Sequence, residues 1–280
     1  NFMKRNIFLT LTLSCCLLIA CTTDANMPES PKNYVSFFPS EAPARASDTK
    51  FENGDQIGVY AMKDNGNVTA GQIGYTNYAN NMPYQYIENS KFTPMGNGIE
   101  LPSDGSKLYY YAIYPYSTLS SSNFTFEVWT DQTAYNHYTT SDLMIAYTTS
   151  SSDKENINLS FSHCLSKVII SPKNFNAVYS FTLKDMYYKA NVNLNYKTFT
   201  NTGNKATIKM CSNGTNSFKA IVPPQTITDG MMFGYMECNE GNYNITASGN
   251  IELQAGKQTE IIVYANESRG QKHFFAIQKP

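Results

Sequence analysis

The sequence predicts an all-β protein folded as two β-sandwiches in tandem, and three observations predict it. Apolar residues alternate with a period of two instead of recurring every three or four positions. More than ten short apolar runs are separated by clusters of Asn, Gly, Ser, Thr and Asp. The composition is aromatic and weakly charged, with 14% Phe, Trp and Tyr and only 15% Asp, Glu, Lys and Arg. An ordinary soluble chain carries about 25% charged residues. Polarity here comes instead from Tyr, Asn, Ser and Thr, which suit pleated surfaces and turns.

Lys4 and Arg5 precede an apolar run from Ile7 to Ala20. As a helix its 14 residues would reach about 21 Å, short of the ~30 Å hydrocarbon core of a bilayer. A basic start, a short apolar run and a small final residue give residues 1–20 the layout of a secretory signal peptide, cut between Ala20 and Cys21. Leu18-Ile19-Ala20-Cys21 resembles the bacterial lipobox, in which the last thiol takes a diacylglycerol before cleavage. Cys21 is therefore expected to begin the mature chain and carry its lipid, since several acyl chains hold a membrane where one binds marginally. The simpler alternative is an ordinary signal peptide with Cys21 incidental.

Residues 21–50 are rich in Pro, Ser and Ala and read as a linker interrupted by one apolar stretch, Tyr34–Phe38. In "QIGVYAMK", Ile57, Val59 and Ala61 alternate with Gly58, Tyr60 and Met62, and the "KDNGN" that follows is turn chemistry. "LYYYAIYPYS", "NFTFEVWTD", "DLMIAYTT" and "NINLSFSHCLSKVIIS" continue the pattern, with Ile157, Leu159 and Phe161 on one face. The second half repeats it from "VYSFTLKDMYY" to "TEIIVYAN", and no amphipathic helix is evident. Removing residues 1–20 leaves 260, room for two domains. The break is placed near His163–Ser166, giving an N-terminal domain at 51–164 and a C-terminal domain at 165–280.

Little in the sequence points to catalysis. His137, His163 and His273 are far apart and none belongs to a metal-ligand spacing. His163 and Cys164 are adjacent, so on a strand they would face opposite ways, and His163 reads as a structural residue. "DNGNVTAG" lacks the acidic partners of a calcium loop after Asp64. No nucleophile elbow, phosphate loop or dinucleotide fingerprint occurs, so no enzyme, cofactor or metal is expected. A net charge of −1 argues against nucleic acid as a partner. Of the mature chain's other cysteines only Cys211 and Cys238 are considered as a pair, with buried free thiols preferred. The tyrosine run places Tyr109 and Tyr111 on one face and Tyr110, Tyr114 and Tyr116 on the other. That favours core packing over a flat sugar-stacking platform, and the lone Trp129 is read the same way.

"FENGDQIGVYA" (Phe51–Ala61) resembles the fimbrillin family, the Mfa-like subunits of type V pili. Further stretches are similar in order: "YYYAIYPY", "DQTAYNHYTTSDLMIA", "LSFSHCLSKVII", "FKAIVPPQTI" and "IELQAGKQTEIIV". The Pro-Pro at 223–224 and the ending "KHFFAIQKP" depart from the family's usual pattern. The resemblance implies two tandem transthyretin-like β-sandwiches, export as a lipoprotein to the outer membrane, and assembly with other pilus subunits by strand exchange. It also implies a trypsin-like maturation protease cutting after an arginine, here Arg45 before Ala46, which would release the lipid and one strand. The mature chain has only two arginines, Arg45 and Arg269.

Tyr34, Val35, Phe37 and Phe38 would then be the exchanged strand, lying in a groove of the first domain until Thr259–Ala265 or Lys272–Gln278 of a neighbour replaces it. The simpler alternative for Arg45 is a solvated linker residue with a permanently docked strand. A host or bacterial surface receptor is a further expected partner. The competing expectation is a stand-alone surface glycan-binding lipoprotein that uses Tyr110 and Tyr114.

Overall fold

The computed structural model describes residues 33–40, 50–66, 73–74, 77–87, 91–119, 121–195, 197–268 and 271–279. Ala20, Cys21, Arg45 and Ala46 lie outside the described residues.

The fold is all-β. Its first half supplies β1 (Ser36–Ser40), β2 (Gln56–Lys63), β3 (Ala79–Ile87), β4 (Lys91–Pro94) and β5 (Leu108–Tyr114). After β6 (Asn123–Glu127) and a short helix α1 (Tyr135–Thr140) come β7 (Met144–Tyr147), β8 (Asn156–Ser160) and β9 (Ser162–His163). Apart from β6 these strands form one eight-stranded sheet in the order β8-β1-β4-β3-β2-β5-β7-β9. The second half continues with β10 (Ser166–Pro172), β11 (Val178–Asn193), β12 (Thr198–Lys209), β13 (Cys211–Ser212) and β14 (Phe218–Val222). It ends with β15 (Gln225–Ile227), β16 (Met232–Cys238), β17 (Gly241–Ala247), β18 (Ile251–Leu253), β19 (Gln258–Ser268) and β20 (Gln271–Gln278). The second sheet runs β12-β11-β16-β17-β20-β19-β10-β14-β13, and β15 pairs separately with β18.

Period-two alternation explains how the core is divided. Ile57, Val59, Ala61, Tyr110, Ala112 and Tyr114 face one apolar cluster, together with Val35, Phe37, Leu159 and Phe161. Their neighbours Tyr60, Met62, Tyr111 and Ile113 face a second cluster, shared with Leu165, Val168, Phe181 and Leu183 of the other half. The central strands of the first sheet are therefore buried on both faces, and the two halves share apolar packing. They are also stitched by hydrogen bonds: β6 pairs with β11 from Asn123↔Asn193 to Glu127↔Lys189, and the Tyr111 hydroxyl donates to the Leu194 carbonyl at 3.0 Å.

One short helix joins the strands, and one local expectation is corrected. Tyr135–Thr140 is helical, a six-residue turn too short to show a 3.6-residue stripe in the sequence. Trp129 is not a core residue but half exposed, its ring stacked 4.0 Å from that of His137 and its Nε1 donating to Thr140 Oγ1. Cys164, Cys211 and Cys238 are buried thiols, and Cys211 and Cys238 form no disulfide with each other. His163 is buried with Nδ1 2.7 Å from Asp142 Oδ2.

Candidate functional site

β1 lies between β4 and β8, and the groove it fills is the candidate site. Its pairing with β8 is parallel and continuous, from Ser36↔Asn156 to Ser40↔Ser160, whereas its antiparallel pairing with β4 has a single register pair, Phe37↔Phe92. β8 pairs with no other described strand. The Val35 amide donates to the Ile99 carbonyl at 2.8 Å and the Ser36 amide to the Glu155 carbonyl at 2.7 Å.

Alternation sends Val35 and Phe37 inward, both with no exposed surface, while Tyr34 and Phe38 remain half-buried. The sequence-predicted residues are thus brought together on one strand, but only two of the four enter the core. Regular pairing is also displaced by two residues from the predicted Tyr34–Phe38. It begins at Ser36 and runs through Pro39 to Ser40, whose Oγ donates to the Leu159 carbonyl at 3.1 Å. Tyr34 contributes an isolated bridge to Glu100. Pairing with β8 sets this extent, which local hydrophobicity does not encode.

Part of the groove wall, including Tyr84, Phe92 and Ile99, comes from residues that the sequence did not single out. Phe37 packs edge-on against Tyr84 at 4.9 Å and Tyr110 at 5.2 Å between ring centroids. The Tyr84 hydroxyl accepts from the Ile99 amide at 2.9 Å, and burial pushes its pKa up to about 12, so it stays a neutral fixture. Phe51 extends the aromatic wall, meeting Phe92 at 4.9 Å, Phe161 at 5.0 Å and Tyr114 at 5.4 Å. Gly98 makes room for Tyr34: a Cβ there would lie 2.7 Å from Tyr34 Cγ and 2.9 Å from Pro94 Cβ. Alternation in Ile157, Leu159 and Phe161 and in the tyrosine run was the available signal for a wall.

Beside the groove, the Tyr114 hydroxyl donates to Asp55 Oδ1 at 3.2 Å and the Glu52 amide to Asp55 Oδ2 at 2.7 Å. Burial nevertheless holds the Asp55 carboxyl above its ordinary pKa.

The two segments considered as donors are both interior strands. β19 is flanked by β10 and β20, and β20 by β19 and β17. Tyr110 and Tyr114 are only 0% and 3% exposed, so their ring faces are closed to a sugar, which corrects that expectation for the competing reading.

The sequence profile of the family described as fimbrillin-like matches residues 44–271. The chain belongs to the fimbrillin-like family. β1 lies just before the span that matches the fimbrillin-like profile. A Bacteroides uniformis protein named for cell adhesion is 22% identical, with a TM-score of 0.63 over 89% of this chain and 99% of its own. A second, from Bacteroides ovatus, is 14% identical, with a TM-score of 0.62 over 88% of this chain and 96% of its own. A fimbrial protein of Bacteroides ovatus is 18% identical, with a TM-score of 0.52 over 84% of this chain and 50% of its own. At these identities the fimbrillin-like chain and its structural neighbours have a fold in common. No curated protein sequence matches the chain.

Proposed function

We propose that this fimbrillin-like chain is a cell-surface pilus subunit or adhesin, exported as a lipoprotein, in which β1 is a placeholder exchanged for a strand of another subunit. One observation carries the reading: β1 completes the sheet from within, yet the chain joins it to the next strand of that sheet, β2, through residues 41–55, which contain Arg45. Cleavage after Arg45 would leave β1 held by non-covalent contacts alone. An incoming strand would inherit the backbone partners offered by β8 and the pockets of Val35 and Phe37, which is β-augmentation. Repeated from copy to copy the contact is head-to-tail, so it builds a filament and does not close a dimer. β19 or β20 would have to leave its own sheet before it could serve as the donor in a neighbouring copy.

The test is digestion of residues 22–280 with an arginine-specific endoprotease, followed by mass spectrometry and native size analysis. Release of residues 22–45 and a ladder of oligomers are expected, while an Arg45→Gln variant should stay monomeric. A fully cleaved product that keeps its N-terminal peptide and remains monomeric would overturn the reading. Lipid attachment is tested separately: Cys21→Ala should lose palmitate labelling and membrane recovery, and normal recovery would refute an anchor at Cys21.

A further inference from the structure

Two clefts meet at Asn123, the first residue of β6: one is lined by Ile73 and Leu119, the other by residues of the paired strands β11 and β12. The larger, about 450 Å³, is lined in part by Tyr60, Ile73, Asn77, Asn80 and Asn195. The smaller, about 340 Å³, is lined in part by Thr125, Asn191, Asn193, Thr198 and Thr200. Both volumes fall within the range of about 300–1,000 Å³ usual for ligand sites. Among the described residues that line them, none is charged, and amides and hydroxyls predominate.

The amides are held in place. Asn195 clamps the wall, accepting from the Ile73 amide at 2.6 Å and donating to its carbonyl at 2.9 Å. Asn77 Nδ2 donates to Asn80 Oδ1 at 2.7 Å, and Thr125 Oγ1 donates to Asn191 Oδ1 at 3.0 Å. These bonds orient the Asn80 and Asn191 amides while leaving their Nδ2 groups to donate elsewhere. Tyr60, also in the lining, is 3% exposed, and its buried hydroxyl has no hydrogen-bond partner among the described residues.

This chemistry selects a ligand class. An ion would give up hydration without meeting an opposite charge, and an apolar molecule would leave the amides unpaired. A side-chain amide presents an acceptor beside a donor, which complements adjacent hydroxyls that each donate and accept. We propose that the trough formed by the two clefts binds a neutral oligosaccharide. The site is separate from the β1 groove and does not depend on strand exchange.

Native gels containing mannan, laminarin or arabinoxylan as neutral probes, with polygalacturonate as the anionic control, test this on residues 22–280. At least one neutral polysaccharide should retard the protein, and polygalacturonate should not. Asn123→Trp, which plugs the junction from an exposed position, should weaken retardation about tenfold or more without moving the thermal midpoint. If that variant is misfolded, Asn80→Ala, also at an exposed position, should weaken it several-fold. Retardation by none of the neutral probes, by polygalacturonate alone, or equally in wild type and both variants would overturn the proposal. So would concentration-dependent self-association that Asn123→Trp abolishes, because the occupant would then be a second copy.

Discussion

Phe37 stands edge-on to Tyr84, with ring centroids 4.9 Å apart and planes at 81°, and so joins the inserted strand to the wall of its groove. T-shaped pairs of this kind contribute beyond the apolar area they bury. With no surface of Phe37 exposed, Phe37→Ala should cost about 3–5 kcal/mol of unfolding free energy. Chemical denaturation of the uncleaved chain measures it. A loss below about 1 kcal/mol would mean that β1 adds little to the fold.

Gly98→Ala should loosen the entry of β1. The new methyl would lie 2.7 Å from Tyr34 Cγ and 2.9 Å from Pro94 Cβ, so the Tyr34 ring must shift. The Val35 amide, which donates to the neighbouring Ile99 carbonyl, should then exchange its hydrogen faster, as read by mass spectrometry on peptides spanning residues 33–40. Unchanged exchange would show that the ring adapts freely.

Tyr110→Phe should stabilise the protein. The Tyr110 hydroxyl is buried and has no hydrogen-bond partner among the described residues, so its removal is expected to gain about 1 kcal/mol. A higher denaturation midpoint at an unchanged slope is the expected readout, and a lower midpoint would indicate a partner for that hydroxyl.

Asp55 gives the stability a pH signature. Burial raises its pKa in the folded chain, against an unfolded value of about 3.9. The folded state therefore binds this proton more tightly. The stabilisation it contributes is full below the unfolded value and is lost as pH rises through the raised folded value. Asp55→Asn carries no charge at any pH, so its stability relative to wild type should improve between about pH 4 and pH 7. Denaturation at a series of pH values checks the slope, and a relative decline would contradict it.

The sequence was legible where side chains follow a short period. Alternation separated Tyr110 from Tyr111 and Ile57 from Tyr60, and the structure sends the members of each pair to different apolar clusters. It also marked Val35 and Phe37 as an apolar ribbon inside a polar linker. Trp129 was misread because a single residue carries no period. The transfer of β6 to the second sheet depends on pairing across more than 60 positions, between Asn123 and Asn193, which no local pattern records. The groove walls at Tyr84, Phe92 and Ile99 and the amides of the neutral trough were illegible for the same reason. They come from separate segments, and only the folded chain brings them together.

Among the described strands β8 pairs with β1 alone, so withdrawing β1 would do more than open a slot. It would unmoor a five-residue ribbon and bare two raw margins of backbone at once. Such a molecule would be short-lived in water. Under the proposed exchange, removal and replacement would have to be nearly simultaneous, and the cut would double as the clock of assembly.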